Sequence, residues 1–193
     1  MSSEVVDPDW VLPSPRKVGL LTLILAECAL FIIFVIAYLF YIGKSLNGPY
    51  PSEVLSWPIT ASIALLSSSI TIVFAERALK RGSDRGFQIW WGITILLATY
   101  FLAFTAYEWY ELIYHHHLTI STNVFGSTFY SLVGLHASHV VVGLMVLMAV
   151  LLFSLFGKIQ HRHHEHIEMV SWYWHFVDVV WIIVFAVVYV IGI

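Results

Sequence analysis

Charge is what this chain has least of. Nine Lys and Arg and twelve Asp and Glu make up 11% of its 193 residues, against 60% hydrophobic. Soluble domains carry about 25% charged residues, so most of this chain is solvated by a bilayer rather than by water. A net charge of −3 is far from the basic footprint that a nucleic-acid partner requires. Cysteine is nearly missing as well. Cys28 stands alone in an apolar run, which excludes an internal disulfide, a CxxC redox pair and a CxxCH haem attachment site. The opening stretch MSSEVVDPDWVLPSPRK has neither the basic n-region nor the small-residue cleavage site of a signal peptide. Residues 1–17 are expected to form a short extramembrane arm. No internal repeat is present.

What the chain has in quantity is long apolar segments. A span of the hydrocarbon takes about 20 residues at 1.5 Å each, and five stretches qualify: 18–42, 57–79, 87–107, 124–156 and 170–192. Turn chemistry separates them, in GKSLNGPYPSE, KRGSDRG, HHHLTISTN and GKIQHRHHEHIE. The fold class is therefore an all-α membrane protein, one bundle of five transmembrane helices over residues 18–193. The fourth stretch exceeds one bilayer thickness and should tilt or emerge at its Gly157/Lys158 end. Arg16, Lys17, Arg77, Lys80, Arg81, Arg85, Lys158 and Arg162 fall on one side, and Lys44 alone on the other. The positive-inside rule then places the N-terminus in the cytoplasm and the C-terminus outside.

Ionisable groups inside such spans are rare because each costs several kcal/mol, about 2.5–3.5 on the most lenient scale. Glu27 lies about 13 Å into the first span. It reads either as a carboxyl satisfied by a neighbouring helix or as part of a proton relay, and its own helix offers few relay partners. His136 and His139, with Gly143, recur at helical spacing midway along the fourth span. An i, i+3 pair cannot ligate one haem from opposite faces. It could supply two corners of a smaller metal site only if another helix completed it. Hydrogen bonding between helices or to lipid headgroups is the plainer reading. His115 to His117, and His161, His163, His164 and His166, lie in loops without cysteine and read as solvated histidine clusters. His175 and Asp178, one turn apart, are placed in the first turns of the fifth span.

These residues together resemble a known family. WYWHFVDVVW at 172–181, followed by an apolar run, is similar to the last helix of subunit III of the haem–copper terminal oxidases. ILAECALF carries Glu27 where that family has a buried glutamate. Tyr107, Glu108, Tyr110 and Glu111 resemble its YE motif, FGSTFYSLVGLHASHVVVG its GSTFF…GxHGxHVxxG helix, and HHEHIE its penultimate loop. The resemblance covers nearly everything from Thr22 onward, in the five-helix bacterial form that lacks the first two helices of larger members. It implies a non-redox subunit of a proton-pumping respiratory complex in the bacterial plasma membrane. Haems and copper would belong to subunits I and II, with no metal, cofactor or catalytic residue in this chain. The chain would pack mainly on subunit I, beside subunit II and small subunits, hold membrane phospholipid and support proton uptake and stability. Glu27, His136 and His139 would then be lipid-cleft or bundle-interior groups. His175 and Asp178 would be a structural hydrogen-bonded pair near the cytoplasmic interface, under an interfacial belt of Trp172, Tyr173 and Trp174. An accessory protein of a nitric oxide reductase would share the motifs. A stand-alone transporter using Glu27, His136 and His139 would leave the 172–181 block unexplained.

Overall fold

A computed structural model describes residues 14–159 and 164–192. Among them the chain forms α1 (Pro15–Tyr41), α2 (Pro51–Val54), α3 (Ile59–Lys80), α4 (Asp84–Tyr114), α5 (Val124–Leu155) and α6 (His164–Phe185), the last continuing as a π-helical turn, Ala186–Ile191. No strand occurs among the described residues. Five helices are long and apolar enough to cross a membrane: α1, α3, α4, α5 and α6 with its π turn.

Local chemistry sets the helix ends. Ser14 caps α1 by accepting from the Lys17 amide, with Pro15 in the first turn, where a missing N–H does no harm. Ser83 and Asn123 cap α4 and α5, their side chains accepting from the amides of Gly86 and Gly126. Gly82 and Gly157, at φ +74° and +67°, turn the chain out of α3 and α5 through the left-handed region.

Two helices are longer than the apolar pattern indicates. α4 begins at Asp84 and runs to Tyr114, so the Tyr107–Glu111 motif is helical rather than following the span. α6 begins at His164, so the HHEHIE run is helix from that residue on, where the sequence predicts a loop; His161 and His163 lie outside the described residues. The reason is that its polar groups find partners on α1. Ser14 Oγ donates to Glu165 Oε1 (2.5 Å), Arg16 Nη1 meets His166 Nε2 (3.0 Å) and Lys17 Nζ pairs with Glu168 Oε2 (3.1 Å). Arg16 and Lys17, expected in the arm, are thus in the first turn of α1; the arm before Ser14 lies outside the described residues.

α6 packs against α3, α5 and α1, while α4 packs against α3 and α5. Helices in lipid gain no hydrophobic drive by associating with one another, so close packing and polar contacts hold them. Burial follows that layout: half of the most apolar stretch of α6 is buried, against 6% of that of α1. Leu25, Ile32, Ile33 and Ile36 of α1 remain on its open flank. A close approach of α5 and α6 is at Gly143, where an added Cβ would stand 2.8 Å from Trp174 Cζ3. Gly143→Ala should therefore displace a rigid indole and destabilise the full chain by about 1–3 kcal/mol. Gly92→Ala, where a Cβ meets nothing within 4 Å, should be neutral or slightly stabilising. Denaturant unfolding of the purified chain in detergent measures both; equal effects would contradict the packing.

Candidate functional site

Three sets of polar groups, each at a helix seam, hold ionisable side chains that the sequence singles out. The first joins α1 to α5. His139 Nδ1 lies 2.8 Å from the Leu135 carbonyl oxygen, which can only accept, so this nitrogen carries a hydrogen. Nε2 then faces Glu27 Oε2 at 3.0 Å. The pair is held either as imidazolium and carboxylate or as neutral imidazole and carboxylic acid, with one proton between the two atoms. Phe31 packs on the imidazole at 4.9 Å, and the Tyr173 hydroxyl donates to the His139 carbonyl oxygen (3.3 Å). Beside this pair opens a groove between α1, α5 and α6. One part, of about 410 Å³, is lined by Leu20, Leu23, Val142, Val146 and Tyr173 among others, with His166 at its end. The adjoining part, about 240 Å³, reaches Glu27 and His139.

His136 does not share that surroundings. One turn from His139, it points between α4 and α6, fully buried against Trp181 (5.1 Å) and Phe101 (5.9 Å). Neither ring nitrogen has a hydrogen-bond partner among the described residues. An i, i+3 spacing turns two side chains through about 60°, enough here to give them different neighbours.

The second set joins α6 to α3. His175 and Asp178 make no direct hydrogen bond; both converge on Ser69, whose Oγ donates to Asp178 Oδ2 and lies 2.9 Å from His175 Nδ1. The expected two-residue pair is thus a three-residue arrangement. Because α6 starts at His164, His175 lies about 17 Å along the helix rather than in its first turns. Trp174 and Trp181 continue the seam, their Nε1 groups donating to Ser68 Oγ (2.8 Å) and Ser62 Oγ (3.0 Å). Trp174 is fully buried, which corrects its assignment to an interfacial belt: its ring fills the space over Gly143. Tyr173 belongs to the groove. Trp172 is half-buried, with Lys17 Nζ 5.3 Å from its ring centroid.

The third set joins α4 to the π turn. Tyr189 donates to the Glu108 carboxylate, at 3.1 Å from each oxygen, both side chains being buried. Nothing in the apolar pattern marks Ser62, Ser68, Ser69 or Tyr189. Their signal lies in Trp174 and Trp181, seven residues apart in an apolar helix, whose N–H groups require acceptors. Among the described residues no group of three or more His, Cys, Asp or Glu side chains could hold a metal ion.

The two histidines of α5 should respond oppositely to the same change. His136→Phe removes buried nitrogens that have no partner and keeps an aromatic ring, so stability should hold or rise. His139→Phe leaves Glu27 unpaired and should lower stability by about 1–3 kcal/mol, with Glu27→Gln adding little on top of it. Unfolding of the single and double variants measures these terms.

Comparisons with known proteins bear on the family of the chain. The family model for cytochrome c oxidase subunit III matches residues 13–193. The cytochrome c oxidase subunit 3 of Bacillus sp. (strain PS3) is 36% identical over 168 residues, covering 86% of this chain and 81% of the relative. That of Synechocystis sp. is 36% identical over 185 residues, 93% of this chain and 77% of the relative. The cytochrome c oxidase subunit 3 of Squalus acanthias is 36% identical over 143 residues, 74% of this chain and 53% of that longer protein. A match of this extent decides the matter: the chain belongs to the cytochrome c oxidase subunit III family.

Proposed function

We propose that this chain is the non-redox subunit III of a proton-pumping haem–copper terminal oxidase in the plasma membrane of a bacterium. The family match across residues 13–193 carries this reading, and five membrane-spanning helices fit it. The oxidase is a multisubunit complex that reduces oxygen to water, with its haems and copper in subunits I and II. This chain packs on subunit I, with the ends of α1 and α6 that bear Arg16, Lys17 and Glu165 in the cytoplasm. It holds phospholipid and supports proton uptake and the stability of the complex. What supports the lipid role is the groove between α1, α5 and α6: its walls are aliphatic, and Arg16 stands with His166 near its end.

The open flank of α1, where Leu25, Ile32, Ile33 and Ile36 are exposed, needs a cover. We assign the cover to extra C-terminal transmembrane helices of subunit I beside α1. The other candidate is ordered phospholipid, with phosphate near Arg16 and Lys17 and tails along residues 26–34.

Affinity purification of the tagged chain in mild detergent should recover a complex that consumes oxygen and shows a reduced-minus-oxidised haem spectrum. The chain separated from its partners should show no Soret band. A Soret band that stays with the polypeptide, or nitric oxide consumption in place of oxygen consumption, would contradict the proposal. In the complex, Glu27→Gln keeps shape and hydrogen bonding, so electron transfer and pumping should stay near wild type; a pumping defect with normal assembly would make Glu27 a proton relay instead.

A further inference from the structure

Ser69 has one hydroxyl hydrogen and two polar neighbours, and that limits what the α3–α6 seam can do. When the hydrogen is donated to Asp178 Oδ2, Ser69 Oγ can only accept from His175, so Nδ1 carries a hydrogen and Nε2 of the neutral ring is a free base. When Asp178 is instead a carboxylic acid, it donates to Ser69, Ser69 donates to His175 Nδ1, and the hydrogen of the neutral ring sits on Nε2. The two arrangements use the same three contacts and differ by one proton.

Exposure orders them in space. Asp178 is 3% exposed, and its Oδ1 is buried without a hydrogen-bond partner among the described residues. Among the described residues Ser69 is thus the one hydrogen-bonded route to the carboxyl. His175 is half-buried, and its Nε2 is the basic atom of the three able to take a proton from outside.

From this geometry we infer that Ser69, His175 and Asp178 form a proton-binding relay that loads the Asp178 carboxyl through the serine. A proton arrives at His175 Nε2; the Nδ1 hydrogen passes to Ser69 Oγ; the Ser69 hydrogen passes to Asp178 Oδ2. One proton enters, one is held, and the cluster's charge changes from −1 to 0 with no net change in the imidazole or the hydroxyl. The remaining charged groups around α6 are placed as follows. α3 brings Glu76, which acts electrostatically on His175. α1 brings Lys17 near Trp172 and Glu27 near Tyr173, the latter engaged by His139 of α5. His136 of α5 lies against Trp181. Glu76 lies nearer than Ser69 to the Lys80 end of α3, which makes it the group at the entrance. The seam is separate from the Glu27–His139 pair and lies on another face of α6.

The test is infrared difference spectroscopy of the full chain within its native complex. Acidification should produce a protonated-carboxyl C=O band that Asp178→Asn abolishes. In D2O the band should exchange its proton at least about tenfold more slowly in Ser69→Ala than in wild type, a difference of about 1.4 kcal/mol in barrier. Ser69→Thr, which keeps the hydroxyl, should restore the rate. Should Ser69→Ala fail to assemble, His175→Gln reports the same step, since an amide at that position cannot pass a proton on. Absence of any Asp178-dependent band between about pH 5 and pH 9 overturns the inference, as does unchanged exchange in these two variants. The band belongs to this polypeptide, while the haem spectrum belongs to its partners, so this inference and the oxidase assignment fail separately.

Discussion

The seating of α6 on the hydroxyl column of α3 is the constraint on which the rest of the bundle depends. Trp174 binds Ser68, His175 and Asp178 bind Ser69, and Trp181 binds Ser62, in antiparallel register. Each interhelical hydrogen bond in a membrane contributes modestly, about 0.6 kcal/mol on average. Their joint effect on geometry is larger, because hydrocarbon offers no other partner to an indole N–H or a carboxylate. Sliding α6 by one turn would leave all of them unpaired at once. Depth and rotation of α6 are therefore fixed together.

Once α6 is fixed, its other faces set the remaining contacts. Trp174 fills the space over Gly143, and Trp181 meets Phe101 edge-on at 4.7 Å while covering His136. Phe185 stacks on Tyr189, which reaches Glu108 across the bundle. Tyr173 faces the groove and supports the backbone of His139. α1 is then held at two levels: the ion pair of Lys17 with Glu168 and its neighbours at one end, and Glu27 with His139 deeper in. Between and outside these points its surface is aliphatic and open, as suits a helix that meets lipid or another subunit.

Apolar length alone located all five spans, because lipid requires about 20 such residues and leaves little room for error. It misplaced the ends of α4 and α6. Polar residues there continue the helix by finding partners: Glu108 on Tyr189, and Glu165 and Glu168 on the first turn of α1. Glu27 and His139 were each legible as polar groups in the wrong solvent, but their pairing depends on which face of α5 meets α1. The serine column was hidden for a different reason. A serine in an apolar helix can always bond its own backbone, as Ser67 does with Ile63 and Ser68 does with Leu65. Only the facing tryptophans show which of them also serve a neighbouring helix.

The position of α6 therefore rests on these hydroxyls. The direct measurement is unfolding of the full chain carrying Ser62→Ala and Ser68→Ala together, beside Ser67→Ala with Ser138→Ala, whose hydroxyls bond their own helices. Removing the first pair strands two buried indole N–H groups and should destabilise the chain by about 1–3 kcal/mol more than the second. Equal stability of the two double variants would mean that the seam does not position α6, and the central claim would fall.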